Sequence, residues 1–319
     1  ITILMTDKIT DMQFPELPEG LITRPTLEWL IAGNGADRRL EVSYMTSGMK
    51  WHAEYVAVVA QDDESLGLSG WVSIENRSGA TYPEAELQLV AGEPNLVQPP
   101  RPDRRRALMA AEMDKATQAP FEEEAFFEYH LYTLDRSSTI KNNETKQLTL
   151  FAPARADVEK TYEANPRRYG SKVRVVLEMV NSEDAGLGMP LPKGKVRVFQ
   201  EDSKGRLQFV GEDLIDHTPR DEEMRILVGH AFDVVVERTE TNRRDIGPRA
   251  REIDVEIEVR NRKTDEDVAV VVEEDLYGDW TIRNASHEFE KASAQRIEFL
   301  VPVKAGEVQT VTFTVRTTW

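Results

Sequence analysis

The 319-residue chain has no cysteine and only five histidines. Without thiols there is no disulfide, no thiolate nucleophile and no cysteine-ligated zinc. The same absence leaves the compartment open, because such a chain suits an oxidising exterior as well as a cytosol. No run approaches about eighteen uncharged apolar residues, so no transmembrane helix is expected. Positive charge is also short: 40 Lys and Arg face 57 Asp and Glu, a formal net charge of −17. Clustered cations are what bind phosphate backbones, so nucleic acid is not expected as a partner. Catalytic signatures are missing as well. There is no Gly-x-Ser-x-Gly elbow, no Gly-x-Gly-x-x-Gly, no phosphate loop ending Gly-Lys-Ser/Thr, and no histidine pair at a metal spacing. No catalytic residue, cofactor-binding residue or cofactor is therefore assigned.

What the chain does have is alternation. Hydrophobic residues make up 40% and charged residues 30%, the balance of a folded protein. Leu40-Val42-Tyr44, Val72-Ile74, Leu87-Leu89, Val173-Val175-Leu177-Met179 and Val196-Val198 recur at every second position. Ile253-Val255-Ile257-Val259 against Asp254-Glu256-Glu258-Arg260 is the clearest case, and Val311-Phe313-Val315 against three threonines closes the series. Period two marks half-buried strands, and Gly, Pro, Asn and Asp turns between short strands point to antiparallel sheets. Asn34-Gly35 and Lys204-Gly205 have hairpin-turn chemistry. The expected fold is all-β, with two antiparallel immunoglobulin-like β-sandwich domains and a short helical or flexible insertion.

Within that frame, residues 1–35 read as an N-terminal strand segment of a longer precursor. Residues 36–155 read as the first sandwich, with the insertion at 98–124, and 156–319 as the second. The insertion begins with Pro- and Arg-rich sequence including Arg104–Arg106, continues through helix formers near Leu108 and Met109, and ends in Glu122–Glu124. Pro166 and its neighbours punctuate the expected junction near 153–171. A weak repeat is also visible. Trp71–Asn76-Arg77 and Val255–Asn261-Arg262 each run strand, Asn-Arg, polar turn, strand, with Val175–Asn181 as a looser copy. Asn suits a strand end because its side chain caps local backbone.

Asp216-His217-Thr218 is the most suggestive chemical cluster, since a carboxylate can orient an imidazole for a metal. His217, Asp216, Asp213 and His130 are the candidate metal ligands. The competing structural reading is a strand-end turn closed by Pro219, with His217 hydrogen-bonded inside it. The acidic runs Asp62–Glu64 and Glu273–Asp275 lack calcium-loop spacing and read as solvated loops or strand edges. Trp29, Trp51, Trp71, Trp280 and Trp319 suit a sandwich core, whereas a flat exposed Trp would suit a glycan. Three Asn-x-Ser/Thr sequons occur, at Asn76, Asn143 and Asn284.

Several stretches taken together resemble one known family. They are Phe14–Leu21, Tyr44–Val56 with Gly48 and Trp51, Leu89–Asn95, Glu128–Leu134, Asn143–Gln147, Leu191–Val198, Gly211–Pro219 and Gly278–Trp280. As a set they are similar to the bacterial domain of unknown function 4139 family, a relative of the mucoidy-inhibitor A-like proteins. Members of that family look exported, with an amino-terminal signal and a further β-rich segment. The resemblance thus implies a periplasmic, cell-surface or extracellular protein in which Ile1 lies inside a longer precursor. It transfers no catalytic residues. The expected role is a non-enzymatic protein acting in binding, surface structure or self-assembly, with a protein partner or a second copy as its contact. The alternative is a metal-dependent hydrolase or glycan-binding module around His217.

Overall fold

Val255, Ile257 and Val259 point inward while Asp254, Glu256 and Glu258 point outward, so the sequence alternation is realised as a pleated strand. The same sorting builds nearly all of the structure, a computed structural model describing residues 28, 30, 41–92 and 121–319. The early strands are β1 (Met49–Val59), β2 (Ser65–Asn76), β3 (Tyr82–Ala85), β4 (Gln88–Ala91), β5 (Phe121–Phe126), β6 (Tyr129–Leu134) and β7 (Ser138–Ile140). Next come β8 (Glu144–Asp157), β9 (Glu159–Ala164), the one-turn helix α1 (Pro166–Tyr169), β10 (Lys172–Val180), β11 (Gly194–Glu201) and β12 (Leu207–Ile215). The long strands β13 (Glu223–Gly247) and β14 (Ala250–Asn261) follow. The last are β15 (Val268–Asp275), β16 (Asp279–Ala285), β17 (Glu290–Ser293), β18 (Arg296–Val303) and β19 (Val308–Thr318). The protein is all-β.

Two sheets dominate. One runs β12-β11-β1-β2-β8, and the other runs β16-β19-β14-β13-β10-β9-β15-β18-β17. The nine-stranded sheet curls so that β18 faces β19, with Phe299 stacked on Phe313 at 5.4 Å between ring centres. Val234, Val236, Val255, Ile257, Val270, Ile297 and Val311 fill the enclosed core. Most pairings are antiparallel as expected, but β1–β11 and β9–β15 are parallel. Long stretches of intervening chain separate these partners, so a parallel pair forms without a single βαβ crossover.

The Lys204-Gly205 hairpin is present: β11 and β12 pair antiparallel and Gly205 has φ +72°. Residues 41–46 depart from expectation and form no strand, with Val42 and Tyr44 exposed. An alternating segment stays irregular unless another strand pairs with it. Glu122–Glu124 belong to β5 rather than to a flexible insertion. They stand outward behind the buried Phe121, which anchors the strand opposite Leu134. The rest of the insertion, the Asn34-Gly35 turn and Trp29 lie outside the described residues.

The chain divides into two compact units. Of the described residues, the smaller holds those up to Trp51, Ile74–Leu87 and Arg136–Lys146, and the larger holds the others. The expected boundary at 155/156 lies near the end of β8, and the five-stranded sheet draws strands from both sides of it.

The Asn repeat has a structural meaning. Asn76, Asn181 and Asn261 are all fully buried, each the next inward position after an apolar strand row. In the smaller unit, Asn76 Nδ2 donates to Ala80 O (2.8 Å), Lys141 O (3.0 Å) and Ile140 O (3.3 Å), and its Oδ1 accepts from Ser78 N. In the larger unit, Asn261 Nδ2 donates to Glu266 O (2.8 Å) and Val303 O (3.2 Å), while Oδ1 accepts from Lys263 N. Asn181 Nδ2 reaches Met189 O, Thr218 O and Pro219 O, and Oδ1 takes Gly188 N. Each side chain closes its own turn and also ties down a second segment. Burial removes Asn76 from the accessible sequons, whereas Asn143 and Asn284 are exposed.

Candidate functional site

Each of the four expected metal ligands makes a hydrogen bond of its own, Asp216 through its backbone carbonyl. His217 Nδ1 accepts from Lys193 N at 3.2 Å, in the loop where Leu191 bridges to Thr218. Asp213 Oδ2 accepts from Leu227 N on β13 (2.7 Å). Asp216 is exposed, and its carbonyl accepts from Thr218 Oγ1. His130 Nδ1 lies 2.7 Å from Glu123 on the neighbouring strand. Among the described residues no three His, Asp or Glu side chains gather as a metal site.

The most densely built constellation lies where β9, α1 and β15 meet. Pro166 starts the single helical turn, Asn165 Oδ1 caps it by accepting from Arg168 N, and Gly170 leads the chain out at φ +64°. That turn sets Arg167 and Arg168 against Glu273, Glu274 and Asp275 at the end of β15. Glu274, with no exposed surface, accepts from Arg167 Nε (2.7 Å) and from Arg238 Nη2 and Nε (2.9 and 3.0 Å). Arg168 grips Asp275 with two bonds (2.5 and 3.1 Å), and Arg296 spans Asp275 and Glu273. Asn165 Nδ2 donates to both Glu273 and Asp275 at 3.1 Å. Burial pushes the Asp275 carboxyl up, but hydrogen bonds from Arg168, Asn165 and Arg296 outweigh it and hold the group below its ordinary range. Glu240 behaves alike: burial raises it, and Arg243 and Arg238 bring it below.

These residues include ones that sequence reasoning set aside as punctuation or a solvated acidic run. Glu274 and Asp275 are buried instead, because β15 carries its inward row Val268, Val270, Val272 one step further onto Glu274. Parity past the end of the apolar run is the signal that would have found it.

Beside this network lies a recess of about 310 Å³, lined by Arg168, Asp275, Tyr277, Ser293, Gln295 and Arg296. Gly278, at φ +77°, turns the chain from β15 into β16 and leaves Tyr277 65% exposed. Trp280 is stitched down by its Nε1–H to Ala294 O (2.9 Å), and Lys291 stands 4.8 Å over its ring. Chemically the constellation offers hydrogen bonds from groups already fixed in place. Its carboxylates are matched by guanidiniums.

A family model, the domain of unknown function DUF4139, matches residues 40–319. The chain belongs to the DUF4139 family. No curated protein matches the sequence. The matched DUF4139 region contains the whole Asn165–Arg296 constellation and the Gly278–Trp280 turn beside it.

Charge is less well matched elsewhere on this DUF4139 sheet. Glu298 on β18 stands opposite Glu273 on β15 and opposite Glu290 on β17. Burial, then Glu273, pushes the Glu298 carboxyl above its ordinary range. A raised carboxyl binds its proton more readily in the folded state, so stability is gained as pH falls through the raised pKa toward the unfolded value near 4.3. Glu298→Gln is therefore expected to stabilise at pH 7, raising Tm by roughly 1–2 °C, the size of one like-charge cross-strand pair. The gain should shrink at pH 5. A thermal scan showing no gain at pH 7 would count against the repulsion.

Proposed function

We propose that this DUF4139 chain is a non-enzymatic scaffold of the cell envelope or exterior, acting through contact with a protein partner or a second copy of itself. The envelope placement is what the family resemblance implies. The observation that carries the reading is the edge of the five-stranded sheet. β12 is its terminal strand, so half of the β12 backbone donors and acceptors face away from β11. From its midpoint onward β12 approaches β13: any side chain at Gly211 would collide with the Val228 carbonyl, and Leu227 N donates to Asp213. Leu207–Val210 remains outward, with Leu207 and Phe209 more than half exposed and Phe199 edge-on to Phe209 at 5.7 Å.

The contrast with the charged edges supports the choice, and the other uncharged edges, β4 and β7, are only four and three residues long. β5 carries Glu122–Glu124, β8 carries Glu144, Lys146 and Arg155, and β17 carries Glu290 and Lys291. Such charges discourage strand addition, and Leu207-Gln208-Phe209-Val210 has none. Light scattering across a concentration series is expected to show self-association, with Val210→Lys returning the mass to a monomer. A strict monomer at the highest concentration would overturn self-assembly through β12.

A further inference from the structure

We propose that the recess at Tyr277 is a binding site for a neutral carbohydrate. The inference rests on the reading of this chain as a binding protein and adds a ligand class and a location.

Three features select the chemistry. The first is charge balance. Arg168 and Arg296 are both hydrogen-bonded to Asp275, and Arg296 also to Glu273, so two guanidiniums meet two carboxylates. An anion would meet guanidiniums whose charge is already shared with Asp275 and Glu273, and a cation would face two arginines. The second is polarity. An apolar ligand would cover guanidinium, carboxylate, Ser293 and Gln295 groups without replacing their water, which is unfavourable at each group. Hydroxyls both donate and accept, so a sugar can add bonds to Arg168, Ser293 and Gln295 while the ion pairs to the saturated Asp275 stay intact. The planar groups are already held in place by their mutual bonds, so little ordering is lost on binding.

The third feature is the aromatic face. Trp280 is occupied by Lys291, but Tyr277 is largely exposed at the rim, offering a flat apolar surface to the C–H face of a pyranose. The recess, at about 310 Å³, is at the small end of ligand sites, which suits a short oligosaccharide segment.

The test is a glycan array holding neutral, uronic-acid and sulfated oligosaccharides, followed by calorimetric titration of the best neutral ligand. Tyr277→Ala is expected to weaken that binding about tenfold, the loss of one aromatic stacking contact. Tyr277→Phe should retain most of the affinity, and light-scattering mass should be unchanged in both variants. Binding that survives Tyr277→Ala, preference for charged glycans, or no glycan binding at all would each overturn the site. If glycans fail while β12-dependent association persists, only the recess is refuted. Cleavage of the titrated sugar would overturn the non-enzymatic reading instead.

Discussion

Glu274→Ala is expected to lower the unfolding free energy by about 3–5 kcal/mol, because it strips the counter-charge from Arg167 and Arg238 at a position without solvent. Arg238 is only 11% exposed, and Glu240, which stays 3.3 Å from its Nη1, leaves the Nε and Nη2 donors without a replacement acceptor. Chemical denaturation at pH 7 measures the loss, and a cost under about 1 kcal/mol would show that water replaces the carboxylate. A further variant separates broken pairing from lost attraction. Replacing Glu274, Arg167 and Arg238 together by Leu and Met should recover most of the stability, since apolar groups of similar size remove the stranded charges. The acid side of the profile follows from Asp275. Its carboxyl is held below the ordinary value, so its contribution is present above about pH 4 and is lost as pH falls through the depressed pKa.

Asn261→Ala should cost about 1–3 kcal/mol, because Val303 O loses its partner in the interior and Glu266 O and Lys263 N lose theirs at its edge. Asp at this position decides what the residue does. A plain turn cap tolerates Asp as well as Asn, since only the acceptor oxygen is used. Here the amide must also donate to two carbonyls, so Asn261→Asp should be at least as damaging as alanine at pH 7. Equal stability of Asn261→Asp and the native chain would reduce the residue to a local cap.

Alternation made the sheets legible. Val255 to Val259 and Val311 to Val315 carry their facing in their spacing, and the buried row of each follows it. Pairing partners were not legible in the same way. Nothing local in Val270–Val272 points to Tyr162–Ala164 as a parallel neighbour, because that choice is made by distant chain closing around one core. The candidate site was hidden for a different reason. Glu274 reads from sequence as part of a solvated run and Asn76 and Asn261 as local caps, yet all three continue inward rows, and their burial follows from parity once side-chain polarity is set aside. Arg238 and Arg296 have no local signal, since their roles exist only after β13 and β18 join the sheet that carries Glu274 and Asp275.

The β9–β15 pairing also governs the order in which the molecule can be made. Tyr162 leaves the ribosome roughly 100 residues before Val270, which at ordinary synthesis rates is a wait of about 5–20 s. During that interval β10 can cover only one side of β9, and the other side remains a sticky template for any passing chain. Arg167 and Arg168, translated straight after β9, wait the same interval for Glu274 and Asp275, so the turn that they form is tied down only when β15 arrives.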